Sequence, residues 1–187
     1  LVARHEDQWN WEAVSRNEML PWDEELIDRF EDRWDWSGLS SNEALPWSED
    51  LIARYEARWT WSGIDSLSGN EALPWSEELI ARYEGRWEDF LSEEWERLSE
   101  NEAVPWSGDL IEQFEEKWNW EALSANESLP WSADFIERFE EQWTWSGSDS
   151  LSGNRALPWS RDLVARFADR WNWGQLRSEL IRECISL

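Results

Sequence analysis

The chain has 187 residues, 41% of them hydrophobic and 32% charged, and its 17 basic residues against 42 acidic ones give a net charge of −25. The acid excess runs along the whole chain, which argues against direct binding to nucleic-acid phosphates or anionic membranes, and the apolar runs are too short to span a bilayer. Twenty residues are Trp, each able to bury a large area, so few core positions can supply an aromatic core.

From the N-terminus, the pair Pro-Trp recurs at Trp22, Trp47, Trp75, Trp106, Trp131 and Trp159, giving unit lengths of 25, 28, 31, 25 and 28 residues. Steps of three residues suit the addition of whole helical turns to one element. The insertions are read as falling between the second Trp of each "WxW" and the following Asn. The chain opens at Leu1 in mid-unit and without Met, so upstream residues are expected. One array is predicted over residues 1–187: a partial unit at 1–22, repeats over 23–173, and a C-terminal capping helix at 174–187.

Within each unit the signals are helical. Asp23, Ser48, Ser76, Ser107, Ser132 and Ser160 follow Pro-Trp and are good N-caps, with acidic residues after most of them. A main helix is predicted from there to near the first Trp of "WxW", with Leu51, Ile52, Tyr55 and Trp59 as its apolar stripe. Acids four residues ahead of arginines (Glu25 and Arg29, Asp50 and Arg54, Glu78 and Arg82, Asp134 and Arg138, Asp162 and Arg166) are expected to pair along it. The residue between the two Trp (Asn10, Asp35, Thr60, Asn119, Thr144, Asn172) opens a shorter second helix. Asn17, Asn42, Asn70, Asn101, Asn126 and Asn154 then fit a left-handed helix end or a fresh cap, leading through a short helical turn, "NEAL", to Pro. No alternating strand pattern occurs, so the fold class is all-α, an α-solenoid of short Trp-rich repeats.

These units resemble Trp-rich tandem repeats of the type "LSxNxxLPWSxELIxxYxxxWDW", found in uncharacterised bacterial and giant-virus proteins. The likeness is carried by "LSSNEALPWSEDLIARYEARWTW" and its copies over the whole chain. It implies a helical array and no activity. The chain departs from that pattern in its Arg usage, with Lys117 the only lysine, and in "WEDF", where the second Trp is read as lost to Asp89.

The recurring Trp have two readings. One makes them core between stacked units; the other leaves one Trp per unit exposed as a platform for sugars, cations or a partner, and the Trp after Pro (Trp22, Trp47, Trp75, Trp106, Trp131, Trp159) is then the candidate. Repetition gives every unit the same acids, so no carboxylate pair stands out as catalytic, and no calcium-loop pattern is present. No catalytic residue, cofactor or metal site is assigned. The insertion over residues 87–101 breaks the symmetry, making Phe90, Glu93, Glu94, Trp95 and Arg97 the candidates for a unique site. His5 occupies the ring position of Tyr55, and Cys184 is the sole cysteine. "CISL" matches a prenylation pattern, but Leu176, Leu180, Ile181, Cys184 and Leu187 read better as an amphipathic cap. The expected function is a non-enzymatic scaffold whose partner is another protein or a further copy. The alternatives are a self-assembling filament, carbohydrate binding through exposed Trp, and acidic mimicry of nucleic acid.

Overall fold

Every Pro-Trp pair is followed by a helix whose start one side chain fixes. Ser48 sits in extended backbone and its hydroxyl accepts the Leu51 N–H at 3.1 Å. Asp23, Ser76, Ser107, Ser132 and Ser160 do the same for the N–H three residues on. Each cap satisfies one of the orphan donors at the helix start and is worth about 1 kcal/mol. Asn10, Asp35 and Asn119 cap a second set in the same way.

The structure, a computed structural model, describes residues 6–87 and 93–176. Among them are ten short α-helices and no strand, so the fold is all-α. In chain order the helices are α1 (Trp11–Ser15), α2 (Glu24–Arg29), α3 (Trp36–Ser40), α4 (Glu49–Arg54), α5 (Glu77–Arg82), α6 (Glu93–Glu100), α7 (Gly108–Gln113), α8 (Trp120–Ala125), α9 (Ala133–Arg138) and α10 (Arg161–Arg166). The chain divides after Arg97 into two compact units, each described by itself. No helix among the described residues is long and apolar enough to cross a membrane.

The helices after Pro-Trp have only six residues, too few to hold in water by themselves. They end at Arg54 and its equivalents, well before the Trp that the sequence reading placed at their end. Tyr55 leaves helical geometry at φ −112°, ψ 25°, and a turn follows in which the Trp59 N–H returns to the Tyr55 carbonyl at 3.2 Å. That break still delivers Leu51, Ile52, Tyr55 and Trp59 to the interior, none more than 6% exposed. The predicted stripe is therefore right in its residues and wrong in its continuity.

Three more expectations are corrected. Asn70 and Asn126 have φ −83° and −64°, on the extended side; the positive-φ glycines among the described residues are Gly63 and Gly147. "NEAL" is a turn, closed by the Asn70 carboxamide oxygen accepting the Ala72 N–H at 2.9 Å. The 31-residue unit also places its extra residues before its second Trp. Trp95-Glu96-Arg97-Leu98-Ser99-Glu100-Asn101 repeats the pattern Trp120 to Asn126, with Trp95 and Leu98 buried. Ser99 Oγ accepts the Asn119 N–H at 3.0 Å, as Ser15, Ser40, Ser124 and Ser152 do for the N–H twenty residues on. The second Trp is Trp95, displaced along the chain, and it is not lost to Asp89. Of the predicted capping helix, Leu176 is buried at 5% exposure, while residues 177–187 and His5 lie outside the described residues.

Candidate interaction surface

Three classes of Trp recur, and in most repeats each ties its indole N–H to a fixed backbone carbonyl of its own repeat, whereas Trp11 Nε1 is buried without a partner among the described residues. The post-proline indoles donate five residues back to the Asn carbonyl: Trp22, Trp47, Trp75, Trp106, Trp131 and Trp159 reach Asn17, Asn42, Asn70, Asn101, Asn126 and Asn154 at 2.9 to 3.0 Å. The first Trp of each "WxW" donates seven residues back into the preceding helix, as Trp59 does to the Ile52 carbonyl at 3.1 Å. The second donates five back, as Trp61 does to Glu56 at 2.9 Å. A buried indole N–H left unpaired would cost about 1–3 kcal/mol, so these bonds allow one short unit to hold three tryptophans.

Ring packing then joins neighbours. In the first unit Trp36 packs at 4.9 Å against a tilted Tyr55 and edge-on against Trp59 of the next repeat, and Trp61 packs likewise against Tyr83 at 4.7 Å and Trp87 at 4.9 Å. In the second unit Trp120 packs on Phe139 and Trp143, and Trp145 on Phe167 and Trp171. Asn side chains add a polar staple: Asn70 Nδ2 donates to the Ser40 carbonyl of the preceding repeat at 2.9 Å, and Asn154 Nδ2 to that of Ser124 at 3.0 Å.

Arginines form the outer rungs. Arg54 meets Glu24 at 2.8 Å and Asp28 at 3.2 Å, Arg58 meets Asp32 at 2.7 Å, Arg82 meets Glu49 at 2.9 Å and Arg86 meets Glu56 at 2.7 Å. In the second unit Arg138 reaches Glu112, Arg166 reaches Glu137, and Arg170 reaches Glu140. All run to the preceding repeat, whereas the pairs expected at four-residue spacing do not form for Arg54, Arg82, Arg138 and Arg166. Six-residue helices end at these arginines, so the guanidinium reaches across to the neighbour's acids. The Tyr55 hydroxyl joins this rail by donating to Asp28. Burial, then that bond, pushes the phenol up to about 12, while the bond from Tyr55 holds the Asp28 carboxyl below its ordinary value. An open depression of about 590 Å³ lies beside Tyr83, with Glu56 and Arg86 on its walls, and the ion pair of those two crosses it.

With these groups committed internally, the candidate residues sort themselves. The first-position indoles Trp34, Trp59, Trp87, Trp118, Trp143 and Trp171 are buried, at most 5% exposed. The post-proline indoles Trp22, Trp47, Trp75, Trp131 and Trp159 are half-buried, and Trp106 is buried at 9%. Each packs on the buried indole of its own repeat at 5.0 to 6.0 Å, so each offers an edge rather than a full face. Of the proposed asymmetric site, Trp95 is a core residue of the repeat and Arg97 is half-buried, its guanidinium near Gly69. Phe90 and the side chains of Glu93 and Glu94 lie outside the description. No three of His, Cys, Asp and Glu come together as a metal site would require among the described residues.

Sequence reasoning passed over a row of glutamates. Glu18, Glu43, Glu71, Glu102 and Glu127 follow the Asn of successive repeats, all exposed, and none takes an ion pair among the described residues. The same Asn turn fixes each four residues ahead of a post-proline Trp. The signal was visible as "NE" in five of six repeats, with Arg155 in the sixth. No family model, curated protein or solved structure matches this chain.

Proposed function

We propose that the chain is a non-enzymatic α-solenoid scaffold that binds a basic protein partner along its repeats. The observation that carries this reading is the row of unpaired exposed glutamates in five of the six repeats, each four residues ahead of a post-proline indole that the Asn turn ties down. An exposed acid near a partly buried indole suits Lys and Arg, through attraction of their charge to the carboxylate and apolar contact of their stems with the ring. The other polar groups at fixed positions are used to hold repeat to repeat, which supports a recognition role over catalysis.

The filament alternative draws less support. Arg54, Arg82, Arg86 and Arg170 find acids at repeat positions held by Glu24, Glu49, Glu56 and Glu140. The sixth repeat carries Arg161 and Ala168 at those positions, so a further copy added there would meet fewer acceptors.

The test is a crosslinking pull-down with the chain and with a Glu18→Lys, Glu43→Lys, Glu71→Lys variant confirmed to fold by circular dichroism. A partner held by the parent chain, released by salt and not held by the variant is the expected result. Equal capture by both, or no salt-sensitive partner at all, would overturn the reading.

A further inference from the structure

One groove departs from the repeat pattern at the first position of α9, where the residue is Ala133. At the first position of the helices after Pro-Trp stand Glu24, Glu49, Glu77, Gly108, Ala133 and Arg161, and two of these glutamates pair with an Arg of the next repeat. Glu24 does so with Arg54 at 2.8 Å, and Glu49 with Arg82 at 2.9 Å. In α7 the residue is Gly108: Arg138 Nη1 lies 2.8 Å from where a Cβ would stand, and the Phe135 ring closes in behind it at 4.0 Å. In α9 the residue is Ala133, which can neither pair nor draw an Arg over itself. Arg166 pairs with Asp134 at 3.2 Å and with Glu137, as Arg138 does with Asp109 and Glu112, and the next repeat offers Leu163 where Phe135 stood.

The result is an open groove of about 350 Å³, with Trp131, Ala133, Pro158 and Leu163 as apolar walls and Asp162 and Arg166 at its rim. That volume is at the lower end of the range for ligand pockets. Asp162 is exposed and takes no ion pair. Asp162 and Arg166 balance at the rim, and Asp134 and Glu137, both paired with Arg166, add two acids beside it.

We propose that this groove is a docking site for one large apolar side chain carried on a basic peptide segment of a partner protein. The apolar walls favour an aliphatic or aromatic group over a hydrated one, and the acids at and beside the rim, within a chain of net charge −25, select flanking Lys or Arg. The inference rests on the scaffold reading and narrows it to one repeat.

The probe is the peptide acetyl-Lys-Lys-Phe-Lys-Lys-amide, titrated into the full chain by calorimetry and by NMR of the indole N–H resonances, with Trp131 assigned through Trp131→Phe. One equivalent is expected to bind and to shift the Trp131 resonance, and replacing the peptide Phe by Ala should weaken binding about tenfold or more. Ala133→Glu, which puts there the Glu found at the same position of α2, α4 and α5, is expected to weaken it by a similar factor. Equal binding by Ala133→Glu and the parent chain, or an even shift of all indoles, would sink the groove while leaving a charge-driven scaffold standing. Failure of the peptide to bind at all would also sink it, with the scaffold reading then judged on the pull-down alone.

Discussion

At the residue scale, the Asn of each repeat does the work that the sequence reading gave to a left-handed helix end. Asn70 is 2% exposed and uses its carboxamide fully: the oxygen takes the Ala72 N–H, and Nδ2 reaches the Ser40 carbonyl of the preceding repeat. Asn70→Ala leaves both backbone groups unpaired and is expected to cost about 2–4 kcal/mol. Asn17→Ala, in an exposed residue whose side chain holds only the local Met19 N–H among the described residues, is expected to cost about 1 kcal/mol. Urea denaturation of the two variants measures the difference; equal losses would mean that the link between repeats contributes nothing. Tyr55 gives a second handle. The fold favours its neutral form, so that stabilisation is complete below the ordinary phenol value of 10.0 and fades as pH rises through about 12. An absorbance titration should show a tyrosinate step near that pH which Tyr55→Phe removes.

At the element scale, the caps were legible because each is decided by residues three positions apart, Ser48 and Leu51 for example. The buried rings were legible too, since Leu51, Ile52, Tyr55 and Trp59 keep helical spacing despite the break at Tyr55. What lay out of reach was set by the neighbouring repeat: the acids that Arg54 chooses, the Ser40 carbonyl that Asn70 finds, and the groove that Ala133 opens. A single unit's sequence holds no record of the face packed against it. Arg16 shows how far this extends, since it skips a repeat to grip Asp65 with two bonds of 2.8 Å. That grip holds the Asp65 carboxyl below its ordinary value. Gly38 of α3 lies beneath the strap, where an added Cβ would stand 2.9 Å from Arg16 Cγ and 3.2 Å from Ser15 Cβ. Ala is favoured over Gly in a helix by about 1 kcal/mol, so Gly38→Ala should stabilise an Arg16→Ala background by up to roughly that amount. In the parent chain the clash should cancel the gain. A double-mutant cycle by chemical denaturation reads this directly, and identical effects in both backgrounds would show that the strap exerts no pressure on α3.

At the scale of the whole molecule, two electrostatic effects oppose one another, and salt decides between them. The arginine rungs hold repeats together, but Arg54, Arg58, Arg82 and Arg86 are each 43–51% exposed at the side chain. Pairs so exposed contribute roughly 0.2–1 kcal/mol each and weaken with added salt. Against them stands a net charge of −25 on 187 residues, whose self-repulsion disfavours the compact state and acts beyond single contacts. Much of that excess sits on acids outside the rungs, including the Glu18, Glu43, Glu71, Glu102 and Glu127 row, so screening removes more repulsion than attraction. The melting temperature is therefore expected to rise between about 0.01 M and about 1 M NaCl, by about 2–4 °C for each kcal/mol gained at this chain length. Calorimetry over that series measures it. A fall with salt would mean that the rungs outweigh the repulsion, and the glutamate row would then be too weakly charged in effect to recruit a basic partner.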